Sequence, residues 1–362
     1  MTSEAPSQAP TDMTADVTTV GEELASETEP PDDAILTIRD LNVTFRTEEG
    51  IVQAVRGINL DVRRGDVLGV VGESGSGKSV TMLAVLGLLP RSAKITGSAR
   101  FHGEELIGRK PKELRQVRGA GISMIFQDPL SALNPTHRIG NQIVEAIRAH
   151  HPEMSKHAAL ERGIELLGLV GIPGPEVRVR HYPHEFSGGM RQRAMIAMAI
   201  ANNPDVLIAD EPTTALDVTI QAQILEVLQR VQKETNSAIV FITHDLGVIA
   251  RIATRVHVMY AGRSAEIGGI DEAFERPRHP YTVGLLKSLP GLVAAGERLT
   301  PIGGSPPSML HPPSGCAFHP RCPMAQDVCR EQQPPLRLID EPDHKSACHF
   351  AEQVSVIAET TP

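Results

Sequence analysis

Short stretches of this chain carry residue types whose spacing implies phosphate chemistry. Gly72-Glu73-Ser74-Gly75-Ser76-Gly77-Lys78-Ser79 fits the pattern G-x-x-x-x-G-K-[ST], directly after the apolar run Val67–Val71 and before a helical stretch from Val80 to Leu89. Glycines let backbone N–H groups turn inward around a β-phosphate, and the helix start behind them adds a favourable dipole. Lys78 then reaches the β/γ oxygens and the Ser79 hydroxyl ligates Mg²⁺. A Gly-rich turn with a surface lysine would need neither the strand nor the helix. Val206-Leu207-Ile208-Ala209-Asp210-Glu211 is a second apolar run, ending in two acids. Alone such a pair reads as solvated loop; beside a phosphate loop, Asp210 serves the Mg²⁺ and Glu211 polarises an attacking water as general base. Phe186-Ser187-Gly188-Gly189-Met190-Arg191-Gln192-Arg193 precedes the helical run Ala194–Ala201. Backbone N–H groups at a helix start again suit a phosphate.

These groups need a scaffold that brings distant segments to one edge. Buried-strand runs occur at Val67–Val71, Ser123–Phe126, Val206–Ala209 and Ala238–Ile242, with alternation at Ile35–Ile38 and Val43–Phe45. Helix-length amphipathic segments lie between several of them. Apolar strands alternating with helices imply an α/β fold with a mostly parallel sheet. From about residue 128 to 195 helical periodicity takes over, as in Ile143, Ile147, Leu160, Ile164 and Leu167, which predicts a helical subdomain inserted into the sheet domain. After Tyr281 the chain becomes rich in Pro and Gly, and such punctuation favours loops. The predicted division is a tail over 1–34, a nucleotide-binding domain over 35–285, an appendage over 286–352 and a tail over 353–362.

The formal charge is −9, yet residues 1–34 hold nine acids and no Lys or Arg, so the remainder balances to zero. An acidic, Ser/Thr/Pro-rich head without apolar segments reads as disordered. The rest lacks the basic field that a nucleic-acid partner would require. No secretory leader and no membrane-spanning run is legible, which predicts a soluble, cytoplasmic chain.

Together the phosphate loop, the acidic strand end and the Ser-Gly-Gly segment resemble the ABC transporter ATPase family. Phe186 and Met190 replace the commoner Leu and Gln of its signature, while Ser187, Gly188 and Gly189 stand intact. The resemblance implies a P-loop NTPase cassette in which Ser187, Gly188, Gly189 and Gln192 meet the γ-phosphate of ATP held by an opposite subunit. It also implies that Gln127 senses Mg²⁺ and water, that Asp217 in Ala215-Leu216-Asp217 organises the dimer seam, and that His244 contacts the γ-phosphate. Phe45 is its candidate for stacking on adenine, with core packing as the alternative.

The family includes importers, exporters, repair ATPases and translation factors, so other segments must choose among them. Only 107 residues separate Ser79 from Ser187, too few for the long inserts of a repair ATPase. Ser123–Pro135, His279-Pro280-Tyr281-Thr282 and Gly315-Cys316 through Pro320-Arg321-Cys322-Pro323 resemble the dipeptide/oligopeptide transporter ATPases, over about residues 35 to 350. That likeness implies an ATP-hydrolysing importer subunit on the cytoplasmic face of the membrane. Its implied partners are a second, different ABC ATPase, two membrane permease subunits and an extracytoplasmic substrate-binding protein. Import of nickel or another small solute is the alternative, and a soluble ABC ATPase acting on nucleic acid or ribosomes a more distant one.

All four cysteines, Cys316, Cys322, Cys329 and Cys348, fall in the appendage with spacing C-x₅-C-x₆-C-x₁₈-C. A reducing cytoplasm disfavours disulfides, and structural zinc commonly shows tighter C-x₂₋₄-C pairs. Four thiolates fit a [4Fe–4S] cluster, which the resembled branch carries. A zinc site shared with His319, His344 or His349, or four unligated thiols, stays open.

Overall fold

The computed structural model describes residues 31, 33–214, 216–289, 301–340 and 342–354. Of the tail expected over 1–34, residues 1–30 and 32 lie outside them, and Ala34 already opens a strand. Ala215, positions 290–300 and, of the tail expected over 353–362, the residues from 355 onward lie outside them too, while 353 and 354 end a helical turn.

Strands β1 (Ala34–Arg46) and β2 (Ile51–Arg63) form an antiparallel hairpin. Its turn is closed by Thr47, whose N–H and hydroxyl donate to the Gly50 carbonyl at 2.8 and 2.9 Å. The apolar runs at 35–38 and 43–45 belong to one strand, interrupted where Asp40 adopts φ 44° and the register shifts. Strand β3 (Val67–Val71) passes through the Gly-rich loop into helix α1 (Lys78–Val85). Strands β4 (Ala93–Phe101) and β5 (Glu104–Glu105) complete a four-stranded antiparallel sheet in the order β2-β1-β4-β5. Helix α2 (Pro111–Val117) leads into β6 (Ile122–Ile125), which ends one residue before the half-exposed Phe126.

The insertion that follows is helical throughout: α3 (Pro129–Ala132), α4 (Ile139–Arg148), α5 (Lys156–Leu169), α6 (Pro175–Arg178) and α7 (Gly188–Ala199). Ile139, Ile143 and Ile147 recur every fourth residue, so α4 buries a single face. Helix α5 starts at Ser155, whose hydroxyl accepts from the Ala158 N–H at 3.1 Å. It buries Ala159, Gly163, Leu166 and Leu167, with Leu160 and Ile164 at the margin.

The chain then runs through β7 (Val206–Asp210), α8 (Val218–Thr235), β8 (Ala238–Thr243), α9 (Leu246–Ile252), β9 (Arg255–Tyr260), β10 (Arg263–Gly269), α10 (Ile270–Glu275) and α11 (Pro280–Lys287). The C-terminal segment adds α12 (Asp327–Glu331), β11 (Arg337–Asp340) and β12 (His344–Ser346). The large sheet is ordered β11-β12-β10-β9-β3-β8-β7-β6, parallel from β9 to β6 and antiparallel from β10 to β11. Every residue of β3, β7 and β8 is buried, which is why these strands read as unbroken apolar runs. Alternate residues face opposite layers. Val71, Leu207 and Phe241 pack toward the inserted helices, and Val70, Ile208 and Val240 toward Met82 and the antiparallel sheet. The C-terminal strands thus extend the main sheet. There, buried Glu266 of β10 pairs with His344 Nε2 of β12 at 2.7 Å.

Candidate active site

Strands β3, β8, β7 and β6 lie side by side and parallel, so their C-terminal ends share one edge of the sheet. In open α/β sheets that edge is where ligands bind. Register fixes the alignment: Val71 pairs with Thr243, Asp210 with Ile242, and Ile125 with Ala209. The segments that follow these ends carry the Gly-rich loop, His244, Glu211 and Gln127.

The loop is closed by groups that tolerate no side chain at its hinges. A Cβ on Gly72 (φ 152°) would lie 2.2 Å from the Met259 carbonyl, and one on Gly77 (φ 99°) 2.6 Å from that of Ala54. Lys78 is buried, and its ammonium donates to the carbonyls of Gly72 and Glu73 at 2.7 and 2.9 Å and approaches Ser76 Oγ at 3.4 Å. Burial lowers its pKa, opposed by the carboxylates of Glu211, Asp210 and Glu73. Gly75 is open to its surroundings, and Ser74 is exposed at the loop's tip.

Ser79 Oγ donates to Asp210 Oδ1 at 2.7 Å. Burial raises the Asp210 pKa, and Glu211 adds to the rise while the Ser79 hydrogen bond opposes it. Glu211 sits at φ 46°, a conformation that costs a non-glycine residue energy and is over-represented at functional sites. Its backbone N–H donates to the Ile242 carbonyl at 2.9 Å, which ties that conformation to β8. Its carboxylate accepts from Gln127 Nε2 at 3.0 Å and Thr214 Oγ1 at 2.9 Å, with His244 Nδ1 3.4 Å from the other oxygen. The His244 side chain is 58% exposed and that of Glu211 16%, so the carboxylate is sheltered yet reachable from the side of the imidazole. Lys78, Ser79, Asp210, Glu211, Gln127 and His244 thus gather at the sheet edge. Thr214 was not legible as a participant, because a Thr three residues past two acids carries no signal of its own.

The other expected residues lie elsewhere. Ser187 caps α7, its hydroxyl accepting from Met190 N–H at 3.3 Å, and Gly189 packs against Ile220. Gln192 is 2% exposed and its Nε2 has no protein acceptor among the described residues. Asp217 caps α8, accepting from Ile220 N–H at 3.0 Å. Phe45 is half-buried and packs against the core beneath the antiparallel sheet.

Cys316, Cys322, Cys329 and Cys348 are free thiols lining one narrow cavity with His279, Pro280, Phe318 and Phe350. Burial pushes Cys322 up to about 11 and Cys348 up to about 12, and neighbouring cysteines add to both. Among the described residues, no group of three or more His, Cys, Asp or Glu is arranged to hold a metal ion. The expectation of a [4Fe–4S] cluster therefore has no support in the ligand geometry.

Residues 55–214 match the family model described as ABC transporter, and residues 265–329 that described as oligopeptide/dipeptide transporter, C-terminal region. The dipeptide transport ATP-binding protein DppD of Bacillus subtilis (strain 168) is 52% identical over 321 residues, covering 88% of this chain and 95% of its own length. The oligopeptide transport ATP-binding protein OppD of Escherichia coli (strain K12) is 51% identical over 316 residues, covering 87% of this chain and 93% of its own. A solved dimeric ATP-binding cassette in a post-hydrolysis state, bound to ADP and Pi, superposes with a TM-score of 0.59 at 27% identity, covering 65% of this chain and 98% of that one. The P-loop NTPase cassette and the segment behind it thus both have established counterparts, and the chain belongs to the ABC transporter ATP-binding family, in the branch that carries the oligopeptide/dipeptide transporter C-terminal region.

Proposed function

We propose that this chain binds Mg²⁺-ATP and hydrolyses it to power the uptake of di- or oligopeptides. The observation that carries the reading is the convergence of Gln127, Thr214 and His244 on Glu211, beside Lys78, Ser79 and Asp210. The backbone of Gly72–Ser79 cradles the phosphates, and Lys78 supplies a charge to the β/γ oxygens. The Ser79 hydroxyl and the Asp210 carboxylate, joined at 2.7 Å, form an oxygen donor pair suited to a hard cation. When bound, Mg²⁺ neutralises charge on the phosphate oxygens. Glu211 accepts the proton of the attacking water, Gln127 orients the carboxylate and the water, and His244 donates toward the γ-phosphate.

The Ser187-Gly188-Gly189 helix start belongs, in this reading, to the site of a second ABC ATPase subunit, a different chain, and serves the nucleotide bound there. The dimeric state of the solved cassette supports the pairing of two cassettes, though not the difference between them. Gln192 belongs with the signature that serves that nucleotide, Asp217 shapes the seam, and Phe45 is the candidate for stacking on adenine. The peptide cargo is supported by what the relatives are called and by the match to their C-terminal region. Two membrane permease subunits and an extracytoplasmic binding protein complete the machine. No helix among the described residues is long and apolar enough to cross a membrane, in keeping with a peripheral place at the cytoplasmic face. ATP-dependent accumulation of labelled peptide by vesicles carrying the assembled transporter tests this; uptake that persists with the Glu211→Gln subunit contradicts it.

The four thiols line one cavity, and four thiolates match the ligand number of a [4Fe–4S] cluster. A [4Fe–4S] cluster held by Cys316, Cys322, Cys329 and Cys348 would staple the C-terminal segment. Anaerobic purification with iron and sulfide assay decides; zinc, or no metal, refutes it.

A further inference from the structure

The Gly-rich loop is gripped from behind by the cysteine-bearing segment. Arg321, 248 residues from Glu73 in sequence, places both guanidinium NH₂ groups on the Glu73 carboxylate at 2.6 and 2.9 Å. The remaining donors are satisfied as well: Nε by the Gly303 carbonyl at 2.8 Å, and the two NH₂ groups also by Tyr260 Oη at 3.2 Å and the Ile302 carbonyl at 3.4 Å. With its side chain 4% exposed, this fork is poorly screened by solvent and geometrically fixed.

A second strut holds the same residue by its backbone. The Glu73 N–H donates to the hydroxyl of buried Tyr281 at 2.8 Å. The Tyr281 ring lies 4.6 Å from Tyr260 and 5.4 Å from Phe318, centroid to centroid. Phe318 and Arg321 belong to the 3₁₀ turn set between Cys316 and Cys322. That turn is closed by His319 N–H donating to the Cys316 carbonyl and Cys322 N–H donating to the His319 carbonyl. Glu73 in turn offers its carbonyl to Lys78 Nζ at 2.9 Å, so a shift of Glu73 is a shift of the lysine's seat. Left unpaired, its carboxylate would also stand as a fixed anion in the loop that must receive phosphates.

We propose that Arg321 is a positioning residue for nucleotide binding: by clamping and neutralising Glu73 it fixes the phosphate loop and couples the four-cysteine segment to the ATP site. This rests on reading Gly72–Ser79 as that site. Arg321→Ala is expected to weaken ATP binding about tenfold, as typical coupling within a buried charge network implies. The loss falls on Kd and KM, while kcat at saturating ATP stays within about threefold, because Glu211 and His244 are untouched. Arg321→Lys keeps the charge without the fork and sits between, about threefold weaker. Adding Glu73→Gln to Arg321→Ala removes the unpaired anion and recovers most of the affinity; a merely structural role would leave the double variant as weak or weaker.

The test is titration of the full-length chain and these variants with a fluorescent ATP analogue and Mg²⁺. Failure of the wild type to bind overturns the ATP-site reading itself. Wild-type binding with both Arg321 variants within about twofold of it, or a double variant as weak as or weaker than Arg321→Ala, overturns the clamp. Should Arg321→Ala fail to fold, unchanged affinity in Arg321→Lys overturns it and the intermediate value upholds it.

Discussion

The Ser79 hydroxyl donates to the Asp210 carboxylate at 2.7 Å, joining the first turn of α1 to the end of β7 across 131 positions of sequence. Asp210 is 8% exposed beside Glu211, and its burial already disfavours the charged form. Asp210→Asn is therefore expected to separate activity from stability. Mg²⁺ affinity falls by at least about tenfold, the scale of a lost metal-site carboxylate. The melting temperature of the nucleotide-free chain rises by roughly 2 °C, because a buried like-charge contact is relieved. Calorimetry and Mg²⁺-dependent ATPase assays read the two; a lower melting temperature would contradict the electrostatic account.

Lys78 donates to two carbonyls of its own loop, and those oxygens lose their donor when the amine is removed. Lys78→Ala is expected to weaken nucleotide binding itself, by about ten- to a hundredfold, since a hydrogen bond to a charged group contributes about 1.5–3 kcal/mol. An unchanged Kd in an equilibrium titration would remove Lys78 from the site.

How much of this was legible depends on whether a feature is local. Strands β3, β7 and β8 are buried on both faces, so Val67–Val71, Val206–Ala209 and Ala238–Ile242 read as strands, and the motifs at their ends mark the sheet edge. The helical insertion declared itself through Ile143 and Ile147. Features fixed by long-range register were not legible. Nothing in the Pro-rich sequence after 301 signals that Arg337–Asp340 and His344–Ser346 extend the main sheet, or that Arg321 reaches Glu73. Polar pairing across hundreds of residues has no periodicity. The Ser187-Gly188-Gly189 motif reads in the sequence as a phosphate ligand, while in the structure Ser187 caps α7 and Gly189 packs against Ile220.

His257 of β9 is buried with Nε2 2.8 Å from Ser264 Oγ, and burial followed by the nearby Arg255 lowers its pKa to about 3. The unfolded chain, with an ordinary value near 6.5, binds a proton in the window between about pH 6.5 and 3 that the folded chain refuses. Stability therefore falls as pH drops through that window, by about 1.4 kcal/mol per unit from this group. Urea unfolding of wild type is expected to lose about 2 kcal/mol more between pH 6.5 and 5 than His257→Gln. Equal losses would place the acid sensitivity elsewhere.

Glu211 lies where Gln127, Thr214 and His244 converge, and its role as general base is the claim on which the proposed function turns. Glutamine keeps the shape at this position but cannot accept a proton. Single-turnover hydrolysis by the assembled transporter carrying Glu211→Gln measures this most directly, with ATP affinity determined on the same sample. The predicted result is a rate lowered by on the order of 10² to 10⁴ with nucleotide still bound at wild-type affinity. Hydrolysis at the wild-type rate would contradict it.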